Sequence, residues 1–263
     1  MRYSKEELEK QKQERLGETR RNKDSLGGYK MKIIEYNGRD DIIVEFQDEY
    51  KAKIHTCYNN FLKGGIKNPY NKSVCNIGYL GEGKYNHKDY PKMYNHWIHM
   101  IRRCYNPYAL NRNPTYIDCF ICESWHCFQN FGELYERKYY ECNNEEMHLD
   151  KDILIKGNKI YSPNTCIFVP KRINALFTKR QNDRGDCPIG VRWHKRDKKF
   201  DVSCNDANCN QQYLGRFDNE IDAFICYKNY KEKVIKQVAD EYKELIPKEL
   251  YEALYKYEVE IND

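Results

Sequence analysis

Residues 188–204 read PIGVRWHKRDKKFDVSC, and after an Asn-rich turn residues 212–228 read QYLGRFDNEIDAFICYK. Three short runs in this stretch, 189–194, 200–204 and 212–217, carry strand-type residues between turn signals. Asn219 or Asp218 then stands where a helix begins, since a short side-chain oxygen there can accept from the first unpaired backbone N–H groups. Ile221, Phe224, Ile225 and Lys228 follow at helical spacing. The expectation is a three-stranded antiparallel sheet packed on one helix.

Charge is concentrated on the same stretch. Residues 171–217 hold eleven Lys and Arg against five Asp, whereas residues 218–263 hold seven Lys against twelve acids. The whole chain carries only +5, so the distribution, and not the total, points to a polyanionic partner. A small sheet can turn Arg, Lys and aromatic side chains toward a major groove, Arg pairing with guanine edges and Lys with phosphates. The residues assigned to such an interface are Arg192, Trp193, Lys195, Arg196, Lys198, Lys199, Phe200, Ser203, Tyr213 and Arg216. The plainer alternative puts Trp193, Phe200 and Tyr213 in the sheet core and leaves the cations on a solvated hairpin.

Gly190-Val191-Arg192, Lys199-Phe200, Tyr213-Leu214-Gly215-Arg216-Phe217 and the Glu220-x-x-Ala223 that follows resemble the Apetala-two (ethylene-response-factor) DNA-binding domain. Phe200 and Tyr213 stand where the plant members favour Trp, and Ser203 and Asn205 where Glu and Arg often face the groove. The resemblance implies double-stranded DNA as the partner; these departures leave the preferred site open.

Upstream, residues 147–170 read MHLDKDILIKGNKIYSPNTCIFVP, a strand, a Gly157-Asn158 turn, a loop and a strand, with a short helix expected over 171–177. A β-β-α unit of this kind can hold one divalent ion between a strand carboxylate and a helix side chain, Asp150 and Asn174 here. The ordered series Arg103-Cys104, Cys122-Glu-Ser-Trp125, Leu149-Asp-Lys-Asp152 and Ser162-Pro-Asn-Thr-Cys166 resembles phage-type HNH endonucleases. These are also found fused to Apetala-two domains in phages and mobile elements. That resemblance implies metal-dependent cleavage of DNA with Mg²⁺ or another divalent cation, in a bacterial or phage-infected cell. Lys151 stands where the family has its general-base His, and a protonated ammonium accepts no proton near neutral pH. His148, two residues before Asp150 and on the same strand face, is the expected substitute. Thr165 stands where the family commonly has Asn.

Twelve Cys are present. Cys119 and Cys122 have zinc-knuckle spacing without a second pair, so Cys104, Cys119, Cys122 and Cys166 either converge on one structural Zn²⁺ or are buried core thiols. No run of apolar residues is long enough to span a membrane, and no short apolar stretch follows a basic N-terminus. A cytoplasmic protein with reduced thiols and no membrane partner is expected.

The remaining chain supports an α+β class in five segments. Residues 1–27 form a charged helical tether, with Ser4 and Glu7 at capping-box spacing. Residues 28–89 form a small β-rich module, expected as an antiparallel barrel, with a hairpin at Asn37-Gly38 between strands 31–36 and 41–46. In it Tyr58, Phe61 and Lys63 make either a binding face or core. Residues 90–180 hold the HNH-like block, including helices over 90–106 and from Ser124 onward. Residues 181–236 hold the sheet module, and residues 237–263 an acidic helical tail. The functional expectation is a site-choosing DNA endonuclease; the alternatives are a DNA-binding regulator that has lost catalysis and a protein-interaction factor.

Overall fold

The computed structural model describes residues 4–24, 27–178 and 186–263, and the fold is α+β. The chain divides into two units, residues 1–117 with 121–133, and residues 118–120 with 134–263. The expected 90–180 block is therefore shared between units, and its β-β-α part belongs with the C-terminal sheet.

In the first unit, α1 (Lys5–Arg15) opens with the Ser4–Glu7 capping box and buries no residue. It is nevertheless no free tether. Leu8 packs on the sheet core, Arg15 lies 4.2 Å over the Tyr58 ring, and β1 (Thr19–Arg21) pairs with β2 (Lys30–Gly38). β3 (Asp41–Phe46) and β4 (Lys53–Thr56) complete an antiparallel sheet of order β1-β2-β3-β4. The expected barrel is thus an open sheet. Its alternating residues Met31, Ile33, Ile42, Val44 and Phe46 are buried with Ala52, Ile66 and Phe61, the last on α2 (Tyr58–Lys63). Phe61 is core, not binding face. The β2–β3 reversal also sits two residues later than expected. Asn37-Gly38 ends β2 within an irregular register, Gly38 having φ 138°, and Arg39-Asp40 make the turn.

The same unit contains α3 (Pro91–Tyr105), α4 (Pro107–Arg112) and most of α5 (Phe128–Lys138). Met93, Trp97, Met100, Ile101 and Cys104 are all buried, as the spacing on α3 requires. Trp97 Nε1 donates to the Trp125 carbonyl (2.8 Å). A 3-10 turn (Glu123–His126) replaces the expected first turn of α5, which starts at Phe128 instead of Ser124.

The short β5 (Phe120–Ile121) precedes the second unit's main run. That run begins with β6 (Met147–Asp150), β7 (Ile160–Tyr161), β8 (Ile167–Pro170) and α6 (Lys171–Ala175), β6 pairing antiparallel with β8. α6 ends at Ala175, two residues short of the expected helix. The sheet β9 (Val191–His194), β10 (Lys199–Asn205), β11 (Gln211–Phe217) follows in the order β11-β10-β9, backed by α7 (Glu220–Glu241), with α8 (Lys248–Lys256) after it. Residues 181–185, where the sheet module was expected to begin, lie outside the described residues.

α7 starts at an Asn219 cap, whose side chain accepts from the Asp222 N–H (2.8 Å). It buries Ala223, Phe224 and Tyr227 against the sheet, whereas Ile221 and Ile225 are exposed, so the buried stripe is turned from the expected one. The helix runs without a break through residue 236, the expected boundary, because Val234, Ile235, Val238 and Ala239 continue its buried face. The last residues are likewise no separate tail. Val259 joins the core of Val191, Val202 and Cys204, and its carbonyl and N–H are held by Lys228 Nζ and Glu232 Oε1, each at 2.9 Å. Among the described residues no helix is long and apolar enough to cross a membrane.

Candidate nucleic-acid interface

The strand register sorts the expected interface residues onto two faces. Trp193 pairs with Phe200, and Val191 with Val202. Side chains alternate along a strand, so Trp193 and Phe200 share the helix-backed face with the core valines. Their rings lie 4.7 Å apart, Phe200 half-buried against the core and Trp193 40% exposed beyond it. The opposite, open face carries Arg192, Lys199, Asp201 and Ser203, and on β11 Tyr213 and Arg216, which pair with Ser203 and Asp201. Tyr213 is 64% exposed, so it is not core.

Between β9 and β10 the HKRDKK hairpin puts Lys195, Arg196 and Lys198 in solvent, with Lys198 at φ 49° in the turn. The cations are not equivalent. Arg196 Nε donates to Asp197 Oδ1 (3.0 Å), and Lys199 Nζ stands 2.6 Å from Asp218. Arg216 gives Nε (2.6 Å) and Nη2 (3.1 Å) to Asp201 and Nη1 to Asp197. Hydrogen bonds from Arg216 hold the Asp201 carboxyl below its ordinary range. Arg192, Lys195 and Lys198 have no acidic partner among the described residues.

Arg172, on α6, ties the β-β-α block to this sheet. Its Nε (3.1 Å) and Nη2 (2.7 Å) donate to the Ala207 carbonyl in the β10–β11 turn, and Nη2 also reaches Glu241 Oε2 (2.6 Å) at the end of α7. Sequence spacing gives no hint of this hub, because its partners lie 35 and 69 residues away.

In the block itself the alternation of β6 buries Met147 and Leu149 and leaves His148 and Asp150 half-buried on one side, as expected. Asn174 Nδ2 donates to His148 Nδ1 (3.1 Å). His148 Nε2 faces Glu146 Oε1 (3.5 Å), whose other oxygen takes Lys171 (2.9 Å). Asp150 turns its Oδ1 to the backbone N–H groups of Asp152 and Ile153, both at 2.8 Å. Asn174 therefore meets His148, while Asp150 closes the turn after β6.

Lys151 is 7% exposed and donates to Asp152 Oδ2 (3.1 Å) and the Asn158 carbonyl (3.0 Å). Asn158 returns a bond to the Lys151 carbonyl (2.7 Å). Burial opposes the charge on Lys151, but Asp152 outweighs it and holds the ammonium more firmly protonated than usual. Lys151 is thus a brace of the turn, and no proton acceptor. Cys104, Cys119 and Cys166 are buried thiols, Cys122 is half-buried, and all four are unbridged. Among the described residues no group of three or more His, Cys, Asp or Glu could hold a metal ion.

Burial, followed by repulsion from Asp152, pushes the Asp150 carboxyl up to about 6 from 3.8. A carboxyl whose folded value is raised binds its proton more readily in the native state, so its ionisation destabilises the fold as pH rises from about 4 through about 6. Asp150→Asn keeps an oxygen for both N–H groups and removes that penalty. The variant should be more stable at pH 7, by up to about 3 kcal/mol, and no more stable at pH 3.5, read by urea denaturation at the two pH values. Equal stability at pH 7 would contradict the raised value.

No protein-family model, curated protein or solved structure matches this chain.

Proposed function

We propose that the chain binds double-stranded DNA through the open face of β9–β11 and the hairpin joining β9 to β10. One observation carries the reading: Arg192, Lys195 and Lys198 are exposed on that hairpin and its first strand, and no acidic partner among the described residues neutralises them. Cations left unpaired on one small sheet gain most from a polyanion, because each phosphate they neutralise releases counterions. The sheet can afford an uncovered face because α7 buries the other one. Titration of a random-sequence duplex pool with the full chain in a mobility-shift assay should give a retarded complex that dissolves as salt rises. Free duplex throughout at low salt would exclude the reading.

A second reading adds cleavage by the β-β-α block, and the position of His148 and Asp150 on one side of β6 favours it. A carboxylate and an amide are a thin donor set, so Mg²⁺ on Asp150 and Asn174 would need water and phosphate oxygens to complete its shell. When bound, the ion would offset charge on the scissile phosphate. His148 would take the proton of the attacking water once Asn174 releases Nδ1. Supercoiled plasmid incubated with the full chain and Mg²⁺ should then be nicked, and Asp150→Ala should abolish nicking while leaving the mobility shift intact. Plasmid that stays supercoiled with wild-type protein would leave binding alone.

A further inference from the structure

Arg192 on β9, Asp201 on β10 and Arg216 on β11 occupy one cross-strand row of the open face. Asp201 takes Arg216 with both carboxylate oxygens, Asp197 takes its third committed N–H, and the Tyr213 hydroxyl reaches Asp201 Oδ1 at 3.4 Å. Asp197 is itself held by Arg196 and lies 3.3 Å from His194 Nδ1. Three of the five guanidinium N–H groups are thus engaged, and the charge of Arg216 is offset by Asp201 together with an Asp197 that it shares with Arg196. Exposed ion pairs contribute little to stability. Their effect here is on what can approach: the central strand offers the Asp201 carboxylate to an incoming phosphate, and the unpaired cations stand on β9 and in the hairpin turn.

We propose that Asp197 and Asp201 are specificity-determining residues, holding Arg216 neutralised on the β11 edge of the open face and repelling phosphates from it. The proposal rests on the duplex-binding reading of the same face. Backbone contacts are then confined to Arg192, Lys195 and Lys198, while uncharged base edges meet no such repulsion. Sequence-independent affinity follows the number of phosphates neutralised, and like charges set against a wrong partner suppress it. The two carboxylates therefore lower binding to arbitrary DNA and sharpen the choice of site.

The test titrates random duplex with full-length wild type, Asp201→Asn, Asp197→Asn and the double variant Asp201→Asn with Arg216→Gln, across a salt series. Asn keeps the size of Asp and an oxygen for Arg216, and circular dichroism checks the fold of each protein. Asp201→Asn should bind random duplex roughly tenfold tighter at low salt, with the plot of log affinity against log salt steeper by about one. Asp197→Asn should move the same way and carries the test if Asp201→Asn fails to fold. Arg216→Gln in the Asp201→Asn background should erase the gain. Wild type without salt-sensitive binding would overturn the duplex-binding reading itself. Wild type that binds, with neither Asn variant tighter or with the gain surviving loss of Arg216, would overturn the role assigned to the two aspartates.

Discussion

Gly190→Ala should destabilise the second unit by about 3 kcal/mol or more and, on the proposed function, remove the mobility shift with it. Gly190 sits at φ 76°, a left-handed conformation in which a side chain is strained, and a Cβ there would fall 1.9 Å from Cδ2 of Tyr227. Tyr227 cannot swing clear at small cost, since it is buried between the sheet and α7 among Val191, Val202 and Phe224. The Gly190 carbonyl also accepts from the Ser203 N–H (3.1 Å), so a shift of the backbone loosens β9 from β10. Thermal unfolding and the mobility shift, measured on one preparation, check both effects. A variant as stable as wild type would contradict this packing of β9 on α7.

The C-terminal sheet was legible in the sequence because each of its signals is local. Strand runs, the Asn219 cap and the clustered cations all act within a few residues. The irregular register between Val202 and Ser203 was not legible, and it decides which β11 residues face outward with Asp201. For that reason Arg216 reads from sequence as a free base-contacting residue, and the structure shows it clamped. Alternation along β9 would have separated Trp193 from Arg192, and attention to aromatic content alone obscures that. The phase of α7 is masked in the sequence by Ile221 and Ile225, which are apolar but exposed, while the polar-tipped Tyr227 is buried.

In the β-β-α block, the shared side of His148 and Asp150 followed from strand period. The partner of Asn174 did not, because it is set by how α6 lies on β6. Lys151 carries a conflicting local signal. A lysine in the middle of a charged turn looks solvated, yet Asp152 and Asn158 provide enough partners to bury it. The fold also overrides composition at both chain ends. The polar N-terminal residues and the acidic C-terminal ones read as appendages, whereas β1 pairs with β2 and Val259 completes a core.

The central claim is that the unpaired cations of the β9–β10 hairpin and of β9 meet phosphates, and a salt series on the full chain tests it most directly. Affinity for a random duplex pool should be measured for wild type, for Arg192→Gln with Lys195→Gln and Lys198→Gln, and for a control with Lys233, Lys236 and Lys248 changed to Gln. Each lost phosphate contact removes about 0.9 from the slope of log affinity against log salt. The hairpin variant should therefore lose nearly three from that slope and bind roughly a hundredfold more weakly at low salt, with its thermal stability unchanged because these side chains are exposed. The control should keep the wild-type slope. A hairpin variant with the wild-type slope, or a control that loses as much, would contradict the account.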